Sequence, residues 1–169
     1  NDLKQIIDAI NKLKIKEIRK KRDKALILVG FAGGFRRSEL VAIEHEDIEF
    51  VREGVKIFVK RSKTDQSGEG MTKAIPSFDN VNYCPVAHLE DWIFNKEIKK
   101  GKIFSISDKS VALIIKKYAN FAGLDGKKYA GHSLRSGFAT STAESGAEER
   151  NIMAMTGHKT TQMVRRYIK

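Results

Sequence analysis

Sulfur has almost no place in this chain. The single cysteine, Cys84, excludes an internal disulfide and fits a reducing compartment. Long apolar runs are missing too. The longest, Ala25 to Gly34, falls far short of the roughly 20 residues that a membrane-spanning helix needs. The first segment is a charged amphipathic stretch without the apolar core or cleavage site of a signal peptide. Metal-ligand spacing is lacking as well. The four histidines, His45, His88, His132 and His158, are scattered, and no paired carboxylates converge. The nearest glycine pattern, Gly30 to Gly34, lacks the lysine and serine of a phosphate-binding loop, so no ATP site is expected. No internal repeat, low-complexity stretch or linker divides the chain. Acidic residues are also short: 21 Asp and Glu face 32 Lys and Arg, a formal net charge of +11. So basic a globular domain usually meets a polyanion, which points to nucleic acid, the bland alternative being a surface that is lysine-rich for solubility.

What remains is an ordinary globular balance, 41% hydrophobic and 31% charged, in a length that suits one domain. Leu3, Ile6, Ile7, Ile10 and Leu13 recur at helical spacing, and a second helix is expected over Lys20 to Ala32, ended by Gly33-Gly34. Ile48 to Val51 and Val55 to Val59 alternate like short strands. The turn-rich segment Ser62 to Gly70 leads to a third at Met71 to Pro76, which makes a small antiparallel sheet with a polar loop. Beyond it the pattern is helical. Pro85 suits a first helical position, Ser107 an N-cap and Gly123 a stop, and further helices are expected over 133–145, 147–156 and from 161 onward. The expected fold class is α+β: one mostly helical domain with a small three-stranded antiparallel sheet near its N-terminal end.

Four separated pieces carry chemistry, and each alone has a bland reading. Gly33-Gly34-Phe35-Arg36-Arg37-Ser38-Glu39-Leu40 sets two arginines between a glycine break and a helix start, where surface arginines are common. Lys63, in the turn Arg61-Ser62-Lys63-Thr64, has the setting of a solvated lysine. His132-Ser133-Leu134-Arg135 puts an imidazole and a guanidinium three apart on one helical face. Gly157-His158 is followed nine residues later by Tyr167, and a lone tyrosine near a terminus is usually a packing residue.

In their order and spacing, however, the four pieces resemble the signature of the tyrosine recombinase (phage integrase) family. That signature runs from a G-[LF]-R-x-S-E-L box through a hairpin lysine and an H-x-L-R box to a G-H pair and a tyrosine nine positions further on. The resemblance extends from about residue 18 to the end and implies the catalytic-domain fold of the DNA breaking-rejoining enzymes. It puts the catalytic set at Arg36, Lys63, His132, Arg135, His158 and Tyr167. By this resemblance Tyr167 is the nucleophile that forms a 3′-phosphotyrosyl bond, His132 its proton acceptor or positioning group, and Lys63 the acid for the leaving 5′-oxygen.

The side chains suit such a reaction. Charge that spreads over non-bridging phosphate oxygens needs cations, and guanidinium forks supply permanent charge and bidentate donors where no metal does. Arg36 and Arg135 fit that role, with His158 as a further donor. A phenol is neutral at pH 7, so Tyr167 needs a base or an electropositive site. Neighbouring cations would make the Lys63 ammonium a better acid. Glu39, three residues after Arg36, has two readings: a carboxylate that orients the arginines, or a solvent-exposed helix charge. Storage of bond energy on tyrosine makes ATP unnecessary, so the expected reaction is free of metal and cofactor.

The resemblance implies double-stranded DNA as partner, with further recombinase protomers in a tetramer on DNA, no membrane, and a cytoplasmic, nucleoid-associated setting of prokaryotic or phage origin. Two alternatives are a type IB topoisomerase that relaxes supercoils and a non-catalytic DNA-binding relative. The chain starts at Asn1, and the resemblance begins within its first 20 residues. Residues 1–169 are therefore expected to be a catalytic-domain fragment, without the helical core-binding domain that family members place before it.

Overall fold

The computed structural model describes residues 2–60 and 70–129. Helix α1 (Asp2–Lys12) follows from apolar spacing, since Leu3, Ile6, Ile7 and Ile10 all turn inward. Helix α2 (Glu17–Gly33) changes character along its length. Its first turns are charged, whereas Ala25 to Ala32 are buried on every side, which makes its second half the middle of the core. The helix begins three residues before its expected start at Lys20, because a charged first turn carries no apolar period to read. Its largest interface is with α4 (Pro85–Lys96), which begins on Pro85 as expected. Helix α5 (Asp108–Phe121) begins where the Ser107 hydroxyl accepts the Ser110 N–H at 3.1 Å, the expected N-cap. The short α3 (Arg37–Ala42) packs against α5.

Three strands, β1 (Ile48–Val51), β2 (Gly54–Val59) and β3 (Met71–Pro76), form an antiparallel sheet in the order β1-β2-β3. In its register Val55 faces Ile75 and Ile57 faces Lys73. Directly opposed residues point to the same side of a sheet, so Val55, Ile57, Ile75 and Lys73 share the face that closes on the core. Short 3₁₀ turns at His45–Asp47, Val81–Tyr83 and Gly126–Tyr129 join these elements and have no counterpart in the sequence patterns. Beyond α3, Ile43 accepts from the Ile103 N–H at 3.1 Å and His45 donates to Gly101 at 2.7 Å, which ties the entry to the sheet to the α4–α5 connection. The Trp92 indole on α4 donates to the Ile103 carbonyl at 2.9 Å from the same side. The expected helices within 130–169 lie outside the described residues. Among those described, no helix is long and apolar enough to cross a membrane.

Of the buried charged residues described, Asp23 is set deepest in this core. Asp23 of α2 is 1% exposed and takes two donors: the Tyr118 hydroxyl of α5 at 2.5 Å and the Arg22 Nε at 2.9 Å. A carboxylate so buried is tolerable only with its oxygens satisfied. Burial, and then the hydrogen bond to Asp23, push the Tyr118 phenol far above its ordinary value of 10.0. The folded state therefore holds the proton more tightly than the unfolded chain. That stabilisation is complete below pH 10 and declines as pH rises above it. Tyr118→Phe is expected to cost about 1–3 kcal/mol at neutral pH by leaving one buried oxygen unpaired. The variant should also lose less further stability than the parent chain above pH 10. Urea unfolding at neutral and alkaline pH measures both.

Candidate functional site

Of the expected site residues, Arg36 and Glu39 lie among those described, on the connection from α2 to α3. Lys63, His132, Arg135, His158 and Tyr167 lie outside the described residues. The geometry available is thus that of the arginine and its setting.

Helix α2 stops in a Schellman turn. Gly34 takes the left-handed conformation (φ 61°, ψ 38°), its N–H donates to the Phe31 carbonyl at 3.3 Å, and the Phe35 N–H donates to Gly30 at 3.1 Å. The two glycines serve different needs. Gly34 supplies the positive φ, which costs any other L-residue about 1–2 kcal/mol. Gly33 supplies space, because a Cβ there would stand 2.4 Å from the Phe35 ring. Phe35 is fully buried and anchors the reversal in the core.

Arg36 follows immediately in extended conformation (φ −72°, ψ 152°) and occupies the N-cap position of α3, where it is half-buried. Its N–H donates to Glu39 Oε1 at 2.8 Å, and its carbonyl accepts from the Leu40 N–H at 2.9 Å. Glu39 is buried at 8% exposure, so the reading of it as a solvent-exposed helix charge does not hold. What it fixes is the backbone of Arg36. A carboxylate in the first turn also suits the positive end of the helix dipole.

A further cation reaches this turn, and the sequence patterns did not single it out. Lys73 of β3 donates from Nζ to the carbonyls of Gly33 at 2.9 Å and Gly34 at 3.1 Å, and its ammonium lies 5.1 Å from the centroid of the Phe35 ring. The available signal was a lysine on the inward side of a strand, opposite the buried Ile57. On the facing strand, just beyond the end of β2, Lys60 pairs with Glu44 at 3.0 Å and Asp47 at 3.5 Å. The hydrogen bond that Lys60 donates to the Glu44 carboxylate raises the pKa of its ammonium above the ordinary value. Among the described residues, no group of three His, Cys, Asp or Glu side chains is placed to hold a metal ion.

Glu39→Ala is expected to cost about 0.5–2 kcal/mol, the usual loss when a helix start loses its side-chain acceptor. Glu39→Gln, which keeps an acceptor oxygen, should retain most of that. Thermal unfolding of the three chains compares them, and equal losses in Ala and Gln would show that charge, and not the bond to the Arg36 N–H, is what matters.

An integrase/recombinase xerD homolog from Selenomonas ruminantium is 49% identical over 160 residues, covering 88% of this chain and 47% of that protein. The tyrosine recombinase XerC of Syntrophus aciditrophicus (strain SB) is 29% identical over 159 residues, covering 86% of this chain and 48% of its own length. The chain thus spans about half the length of these curated relatives. The crystal structure of the XerH site-specific recombinase bound to a palindromic difH substrate, a post-cleavage complex, superposes with a TM-score of 0.65 over 99% of this chain and 47% of that one. At 19% identity that likeness shows the fold. The sequence model of the phage integrase family matches residues 1–169 from end to end, and the chain belongs to that family of tyrosine recombinases.

Proposed function

We propose that the chain is the catalytic domain of a site-specific recombinase that breaks and rejoins double-stranded DNA through a 3′-phosphotyrosyl bond on Tyr167, without metal or ATP. The observation that carries this reading is the seat of Arg36. Its backbone leaves a glycine turn anchored in the core, and the buried Glu39 carboxylate caps it. A guanidinium on so fixed a root can meet the non-bridging oxygens of a phosphodiester with little reorganisation, where charge builds in the transition state. Family membership and the order of Lys63, His132, Arg135, His158 and Tyr167 support the rest of the set: Arg135 as a second fork, His158 as a donor, Lys63 as the acid, and His132 as proton acceptor or positioning group for the nucleophile. The net charge of +11 would draw DNA in and make binding strongly salt-dependent. The xerD homolog is named an integrase/recombinase, and the XerH structure holds its DNA substrate, which supports DNA as the partner. Further protomers of the longer protein, in a tetramer on DNA, complete strand exchange, and the work is done in the cytoplasm.

The test is covalent capture on a pool of nicked duplexes whose sequence is randomised around the nick. The unsubstituted chain should give a protein–DNA band on a denaturing gel. Tyr167→Phe should bind DNA with nearly unchanged affinity and give no band. A persisting adduct in that variant would remove Tyr167 from the reaction. Arg36→Ala should slow adduct formation by about a hundredfold to a thousandfold, the usual loss when a transition-state donor is deleted, with affinity changed far less. EDTA should leave the rate unchanged, and strict dependence on a divalent cation would overturn the metal-free chemistry.

A further inference from the structure

The bland account of Lys73 is that a cation at a helix C-terminus satisfies carbonyls and steadies the dipole. Three observations carry it further. The two carbonyls that Lys73 holds belong to Gly33 and Gly34, the residues directly before Phe35 and Arg36. The same ammonium lies over the Phe35 ring, so one charged group grips three consecutive residues on the N-terminal side of the arginine. Glu39 grips the other side through the Arg36 N–H. The Arg36 backbone is thus clamped from both directions, and one jaw of the clamp comes from β3, a strand remote in sequence from the turn it holds.

We propose that Lys73 is a positioning residue for the cleavage reaction. By bonding the Gly33 and Gly34 carbonyls and covering the Phe35 ring, it fixes the backbone from which Arg36 reaches the scissile phosphate. The inference rests on the recombinase reading above, and Lys73 acts on DNA only through Arg36. Without the ammonium, the turn keeps its left-handed glycine but loses the link that fixes it against the sheet. The guanidinium then samples a wider arc. Displacement of a catalytic group by about 1 Å can cost about a hundredfold in rate while ground-state binding changes little.

The experiment uses the whole 169-residue chain and the nicked duplex pool, under single turnover with DNA saturating. Lys73→Met keeps the length of the side chain and removes its charge. It is expected to bind DNA within about threefold of the parent and to form adduct about tenfold to a hundredfold more slowly. Lys73→Arg, which restores charge and donors, should recover to within about threefold of the parent rate, a rescue that loss of packing alone would not show. In an Arg36→Ala background, adding Lys73→Met should change the residual rate by less than about twofold, because the residue it positions is already gone. Hydrogen exchange gives a readout without chemistry. The Phe35 and Arg36 amides should exchange faster in Lys73→Met, while the buried α2 amides from Leu26 to Val29 should not. If Lys73→Met fails to fold, Lys73→Gln, which keeps a donor without the charge, takes its place with the same expectations. Full-rate cleavage by the variant, a rate loss matched by an equal loss of affinity, or undiminished loss in the Arg36→Ala background would overturn the proposal. Absence of adduct from the unsubstituted chain would instead overturn the recombinase reading, while the exchange measurement still reports whether Lys73 holds the turn.

Discussion

The reversal between α2 and α3 depends on the absence of a side chain at two successive positions. Gly34 is left-handed so that the chain can turn back on itself, and Gly33 is bare so that the Phe35 ring can lie where a Cβ would otherwise be. Sterics therefore decide the path of the backbone before any polar contact is made. With the ring seated in the core, Arg36 has little choice of direction. It leaves the turn extended and begins the next helix.

Polar groups then secure a path that sterics have chosen. The Glu39 carboxylate takes a backbone N–H at the start of α3, and the Lys73 ammonium takes two carbonyls at the end of α2, so the complementary ends of two helices are satisfied by side chains of opposite sign within one connection. Each strand of the hairpin is tethered by a lysine as well, Lys60 after β2 to the acidic turn beyond α3 and Lys73 of β3 to the glycine turn before it. Short-range polar contacts of this kind are modest in energy one by one, yet together they leave the connection few alternative arrangements.

Much of the fold was legible in the sequence because its signals are local. Apolar spacing marked α1, alternation marked the strands, and Pro85, Ser107, Gly34 and Gly123 punctuated the helices as their chemistry requires. The end of α4 was harder to read. There Glu97, not a glycine, adopts the left-handed conformation at φ 58°, and its N–H and that of Ile98 close the same kind of turn on Phe94 and Ile93. No composition rule marks a strained glutamate. The site divides in the same way. Arg36 stood out by its glycine and S-E-L context, whereas the burial of Glu39 and the role of Lys73 depend on how a strand and a helix end meet in space. One-dimensional patterns contain that only as a lysine out of place opposite Ile57.

The pairing of Asp23 with Tyr118 has a consequence for how the helices choose their alignment. A purely apolar α2 could slide by a turn, about 5.4 Å, along α4, the helix it packs on most, and exchange one set of aliphatic contacts for another of similar worth. With a carboxylate 1% exposed midway along the helix, any such slip strands a charge in hydrocarbon and leaves a phenol without its acceptor. The polar pair works as an index mark beside the apolar second half of the helix. Because α2 can seat at only one height, its far end arrives at one height too, and the arginine that follows inherits its coordinates from an aspartate some three turns away.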